Sequence, residues 1–511
     1  MKRFLLRIPF LLAGITVPVA CFPDTIPSGI QDRIWRDESY LQRFAGEVYA
    51  NPAALYDRQE YSLTDVSAGW HYRNENRAYL PEKGDGGDRF SFNAESYLRR
   101  KTYVLWGNAG YDNARIRNVK WNETSDSELL YPYLMADSVG GDLQQENYSF
   151  AGGYAGRSGR FSWGAQLSYR AAIAYRGIDP RPKNVTSDLS LALGGSFLVG
   201  NGYSLDIGLW GEKYKQSNEI KFYSELGASK VYHLTGLATH YVRFAGNHCD
   251  TYYNGYKWGG DLGIHPKGIS GWRATGSFRH FSFEKIISSL NELPMASVTE
   301  YEYRGEVGYK TQVSSRSAWG IASDAVFSDR TGTEHIFGDA VGNVYPQIAS
   351  ADQYKAIHRQ IALSGFYETA LRHGFSFAVQ PHIYFSHAES RYTYPKRQMT
   401  ICRIGADLSA YLSMRLKRSV WRIDLEARYD SSPHSELYFT EDGETDPVLT
   451  PVWQYDYRNL SSEFAEFQIG LSYAYRITSG YVLQCRGGWS YGRYKTGIDR
   501  NCASVALSFL F

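Results

Sequence analysis

His434, Ser435 and Glu436 stand side by side in a polar stretch and supply the residue types of a hydrolytic triad. Neighbours in sequence rarely form one, because nucleophile, base and orienting group must converge in space. His240, His248 and Cys249, with Asp250 beside them, are metal-ligand types, but their spacing fits no standard site. Gly84-Asp85-Gly86-Gly87-Asp88 has the composition of a calcium loop, yet it is short and flanked by Lys83 and Arg89, so it reads as a plain turn. The chain holds no Gly-x-Ser-x-Gly elbow and no His-Glu-x-x-His helix. These residues predict no catalytic site, no cofactor and no metal, and so a protein that is not an enzyme.

Other charged residues are more informative because of their spacing. Arg422, Asp424, Glu426 and Arg428 alternate with Trp421, Ile423, Leu425, Ala427 and Tyr429. Strand side chains point to opposite faces in turn, so one face is apolar and the other charged. Arg403 and Asp407 carry the charge on the preceding strand. The same contrast runs through Ala465 to Ile477 and Ser162 to Tyr175. Runs of about 10 to 14 residues with this pattern fit a lipid-facing exterior and a wet interior better than a soluble sandwich. Arg403, Asp407, Arg422, Asp424, Glu426 and Arg428 then line a lumen, as a selectivity device or as ion pairs filling it.

The connections test this independently. Short turns recur at Arg99–Thr102, Arg157–Arg160, Gly200–Gly202, Lys267–Gly271, Val313–Ser317, Ala370–Gly374, Lys417–Ser419 and Thr478–Gly480. Between them lie other links, many long and polar, such as Asn122–Gln145, Gln216–Thr251, Thr331–Ala351 and Asp430–Ser462, with Tyr392–Arg397 among the few brief ones. That alternation predicts an all-β, transmembrane antiparallel barrel of about 18 strands, within a range of roughly 14 to 18. The first strand is expected near Tyr61–Asn74 and the last at Asn501–Phe511. That last run is apolar at every second residue, and Phe509 and Phe511 resemble the terminal signal read by the barrel-insertion machinery.

Composition agrees. Tyrosine appears 42 times, with 49 glycines and 12 tryptophans, as aromatic girdles and tight turns require. A net charge of +2, without a basic stripe, gives no reason to expect nucleic acid. Lys2, Arg3 and the apolar stretch to Ala20 read as a signal peptide (1–20), with Cys21 open to lipidation. The single cysteines at 249, 402, 485 and 502 make no disulfide framework.

A plug or periplasmic segment (21–60) is expected before the barrel (61–511). There Ile34, Leu41, Phe44 and Val48 are spaced for one helix face, and Asn51-Pro52-Ala53 stops the helix. An N-terminal segment carrying Asn-Pro-Ala ahead of a barrel resembles the long-chain fatty-acid transporter superfamily of outer-membrane barrels. The Tyr-rich barrel and the Tyr131–Ser138 stretch also resemble an uncharacterised Bacteroidota outer-membrane barrel family. The resemblance implies that Asn51, Pro52 and Ala53 belong to a hatch folded into the lumen. The expectation is therefore a protein of the Gram-negative cell outer membrane, in contact with its lipid. It acts as a passive channel or hatch-gated transporter for small solutes, hydrophobic ones included. The alternative is a non-conducting scaffold or adaptor for an envelope partner, with acidic Glu441, Asp442, Glu444 and Asp446 in a docking loop.

Overall fold

The computed structural model describes residues 29–44, 46–200, 202–224, 229–244, 250–342, 344–439 and 446–511. The expected signal peptide, Cys21, His248, Cys249, Glu441, Asp442 and Glu444 lie outside them.

Eighteen strands form one sheet, each antiparallel to its neighbours in sequence. The first, Leu63–Glu75, also pairs with the last, Asp499–Leu510, from Asp65↔Leu510 to Glu75↔Arg500. Closure leaves no edge, so every strand has partners on both sides for its backbone groups, the condition for crossing hydrocarbon. No described helix is long and apolar enough to cross a membrane. The eight short turns fall where the sequence places them and define one rim, the turn end. The nine remaining connections gather at the opposite, loop end.

Alternation sorts the side chains as expected. Trp421, Ile423, Leu425 and Tyr429 are exposed on the outside, while Arg422 between them is buried. Similar outward rows of exposed apolar residues recur on the other strands, for example Trp163, Leu167 and Tyr169. Phe509 stacks on Tyr481 on the outer face (5.5 Å) with Phe511 tilted beside it (6.1 Å), and Phe511 N donates to Thr64 O at the closing seam (3.0 Å).

Several expected loops are shorter than predicted. Strands run on through Ser317–Phe337, Gln347–Ala370 and Ser419–Phe439, so most of Thr331–Ala351 and the start of Asp430–Ser462 are paired backbone. His434, Ser435 and Glu436 accordingly sit on a strand, not in a loop, with Ser435 on the face opposite to the other two. Beyond the membrane both faces of a strand are wet, so the apolar–polar contrast fades while the hydrogen-bonded ladder continues.

A charge on the outward face must be far more costly than one facing the lumen. Leu425→Arg, mid-way along its outward row, is expected to destabilise the barrel by about 2–4 kcal/mol. Ser504→Arg, on the inner face, should cost only about 0.5 kcal/mol. Folding equilibria into lipid vesicles compare the two.

Candidate functional site

The N-terminal segment lies inside the barrel at the turn end. Helix α1, Ile30–Glu38, packs Ile30 and Ile34 against Ala474, Val482 and Leu510. Ser39 adopts an extended conformation and caps a second short helix, Tyr40–Arg43, by accepting from Gln42 N (3.2 Å). That bend corrects the single helix face expected from Ile34, Leu41, Phe44 and Val48. All four are buried, but Leu41 and Phe44 press on a different wall made by Ala318, Ala322, Phe366, Ala378 and Tyr411. A closed lumen offers apolar contacts on several sides, so the chain gains more by bending across it than by continuing straight.

Polar side chains from the wall hold the segment's backbone. Lys310 Nζ donates to Leu41 O (2.7 Å), Arg273 Nη1 to Phe44 O (2.8 Å) and Arg422 Nη1 to Glu38 O (3.3 Å). Glu368 Oε2 accepts from Leu41 N (3.1 Å). Burial alone would raise the Glu38 carboxyl, but the Arg422 and Arg486 guanidiniums outweigh it and hold it below the usual range. Across the lumen, Asp57 pairs with Arg157 (2.8 Å) and Tyr97 OH donates to Leu55 O (2.8 Å).

Asn51, Pro52 and Ala53 occupy a notch floored by glycine. Gly164 pairs in register with Gly194, and Gly194 with Gly208, giving three glycines side by side on consecutive strands. A Cβ on Gly164 would stand 2.6 Å from the Pro52 carbonyl carbon, and one on Gly194 would stand 2.9 Å from Ala53 N. Asn51 is buried; its Oδ1 accepts from Ala53 N (2.9 Å) and its Nδ2 donates to Asp261 Oδ2 (3.5 Å). No other residue type lets the backbone approach the sheet this closely.

The loop end is closed by a second device that the sequence did not reveal. The stretch from Trp121 to Asp137 folds inward. Arg176 Nη2 donates to Asp137 Oδ2 (2.8 Å), and it also pairs with Glu123. Asn184 and Asn218 donate to Glu123 O (2.9 and 2.6 Å), Lys285 Nζ to Leu134 O (3.0 Å) and Tyr253 OH to Tyr133 O (2.9 Å). Leu130, Tyr133 and Leu134 bury against Phe281, Phe283 and Met295 of the wall. Val231–Gly236 pairs with Met135–Asp137 and Thr239–His240 to complete the cap. A longer helix, Leu449–Leu460, joins it, with Asn459 Nδ2 donating to Tyr79 O (2.9 Å). The available signal was apolar residues such as Phe281, Phe283 and Val298 on the inner face near the loop end of strands whose inner faces are otherwise polar.

The six predicted lumen residues all face inward, and the structure brings them together mainly as ion pairs. Arg422 meets Asp424 (2.7 Å) and Arg428 meets Asp430 (2.8 Å). Asp407 accepts from His382 (2.8 Å), Arg403 donates to Leu460 O of the cap, and Glu426 stands in register between Ser409 and Gln468 on neighbouring strands. Elsewhere the inner face is open. His71 and Arg89 pair in register, turned inward opposite the outward Trp70 and Phe90, and both are exposed beside Gly69, Ser91 and Ser504.

Among the described residues no three His, Cys, Asp or Glu side chains are grouped to hold a metal ion. His240 instead pairs with Asp446 (3.4 Å), and Asp85 accepts from Asn118 Nδ2 (2.5 Å).

In the cap, burial and then the neighbouring Glu82 carboxylate push the Asp456 carboxyl up to about 9. The docked helix therefore holds the neutral acid. Its docking is fully favoured below the ordinary value near 4 and weakens as pH rises through about 9. Proteolysis within Leu449–Leu460 should accelerate over that window, and Asp456→Asn should flatten the dependence. The ratio of wild-type to variant cleavage rates at each pH checks it.

A search of curated proteins finds no match. Among solved structures, the chain is similar to BauA, the ferric preacinetobactin receptor from Acinetobacter baumannii, at 9% identity and a TM-score of 0.45, covering 88% of this chain and 80% of that one. It is similar to the CymD monoaromatic hydrocarbon channel at 9% identity and a TM-score of 0.29, covering 91% and 92%. A bacterial polysaccharide outer membrane secretin is 10% identical, with a TM-score of 0.35 over 88% and 98%. The profile described as Family of unknown function (DUF6850) matches residues 52–511, from Pro52 of the glycine notch to the closing strand, and the chain belongs to that family.

Proposed function

We propose that this protein is a hatch-gated transporter of small solutes in the outer membrane of a Gram-negative bacterium, with the turn end in the periplasm. One observation carries the reading: the N-terminal segment crosses the lumen on a glycine floor and is held by a few polar bonds, beside an inner wall that stays exposed at His71 and Arg89. A permanently packed core would have no use for such a wall. The charged lining favours polar or ionic solutes over hydrophobic ones. The Asn-Pro-Ala hatch supports the fatty-acid-transporter-like, Bacteroidota kinship expected from the sequence, at the level of gating. No step requires covalent chemistry in the lumen.

A second reading, a scaffold for an envelope partner, draws on exposed Val341, Val344 and Ile348 at the tip of the longest hairpin. Conductance separates the two. In planar bilayers the wild type should open rarely, and Gly194→Val, which displaces the hatch, should raise open probability by about tenfold, as loss of roughly 1.4 kcal/mol of hatch seating would. An oxidised Ala53→Cys, Gly194→Cys pair should remain shut and regain openings on reduction. Silence in all of these favours the scaffold.

A further inference from the structure

On the lipid side of the barrel, three reactive side chains meet where the apolar band ends. Cys402 pairs in register with His387 on the adjacent strand, and its Sγ lies 3.3 Å from His387 Nδ1. The other ring nitrogen, Nε2, lies 3.7 Å from Glu389 Oε2. Glu389 is itself held, accepting at Oε1 from Gln398 Nε2 (3.0 Å) and from Arg391. Arg359 stands in register beside His387, and His434 beside Cys402. One step toward the turn end on the same outward rows are Phe385 and Ile404, 46% and 50% exposed. The group therefore sits at the border between hydrocarbon and headgroups, the depth of the ester carbonyls of outer-leaflet lipids.

We propose that Cys402, His387 and Glu389 form an acyl-transfer site on the outer wall of the barrel, acting on ester-linked acyl chains of lipid. It rests on the membrane placement proposed above and is independent of the gate. Nucleophile, base and orienting carboxylate occupy the two sides of one imidazole, the arrangement that activates a thiol. His387 Nδ1 takes the thiol proton as Sγ attacks the ester carbonyl. The carbon–oxygen ester bond breaks, the lipid alcohol leaves with that proton, and the acyl group remains on Cys402 as a thioester. Water, giving a proton to His387, then attacks the thioester carbonyl. The carbon–sulfur bond breaks, and fatty acid and free thiol result. Arg359 and His434 flank the attack site as donors to the ester or phosphate oxygens. Glu389 acts as a positioning residue.

Cys485 is an internal control: it is also a free, outward thiol, exposed where Cys402 is half-buried, but its register neighbours are Tyr473 and Leu507. The barrel is reconstituted in phosphatidylethanolamine vesicles and, separately, in vesicles containing lipid A. Co-flotation with the vesicles is confirmed first, which isolates any failure of membrane placement. Iodoacetamide should alkylate Cys402 at least about tenfold faster than Cys485, and His387→Ala should bring the two rates together, as loss of a general base does. Peptide mass mapping should find a hydroxylamine-sensitive acyl adduct on Cys402, absent in Cys402→Ala. Glu389→Gln should lower kcat, with recovery in Glu389→Asp. An adduct in one vesicle type identifies the lipid source. Equal alkylation of the two thiols, or no adduct and no fatty acid released from either lipid, would overturn the proposal.

Discussion

A strand in hydrocarbon has no water to satisfy its amides, so each backbone group must find a partner in the next strand. The pairing of Leu63–Glu75 with Asp499–Leu510 meets that demand around the whole circle, and the rest of the molecule is arranged within it. Closure creates an inside that strand side chains alone cannot fill in a barrel of this width. Two closures enter it from opposite rims, and both are held by the same means. Wall side chains such as Lys310, Arg273 and Lys285 donate to main-chain carbonyls of the two closures.

The two closures differ in how firmly they are seated. The loop-end cap buries a continuous apolar cluster with Tyr133, Phe281, Phe283 and Met295, in addition to the Arg176 ion pairs. The turn-end segment has smaller apolar contacts spread over separate walls, and its closest approach is to glycine. Removing a methyl from a large cluster costs about 1 kcal/mol and leaves the rest of the cluster seated, whereas adding one to a glycine floor displaces what rests on it. On the gating reading proposed above, the segment that moves is the hatch.

Much of this was readable beforehand. The strand count, the eight turns and the inward face of Arg422–Arg428 followed from period-two alternation, because lipid on one side and water on the other impose the strongest contrast a strand can carry. The separate segment ahead of the first strand was also legible, although the shape of its helical part was not: Ser39 bends the chain so that Ile34 and Leu41 reach different walls. Loop boundaries failed where Ser419–Phe439 and its long counterparts continue into water, since both faces there are equally wet.

By itself the sequence determined the cylinder: which residues face lipid, which face inward, and where the chain turns. Those properties depend on neighbours one or two residues away. Tertiary structure alone decided what meets across strands. Gly164, Gly194 and Gly208 become one floor only through register, and Asn51 reaches Asp261 only across the lumen. Cys402 and His387, separated by a turn, touch because an antiparallel ladder sets them opposite each other. A shift of one residue would turn one of them to the other face. Register is fixed by the closed ladder as a whole, and that is why no local reading of His434, Ser435 and Glu436 could find it.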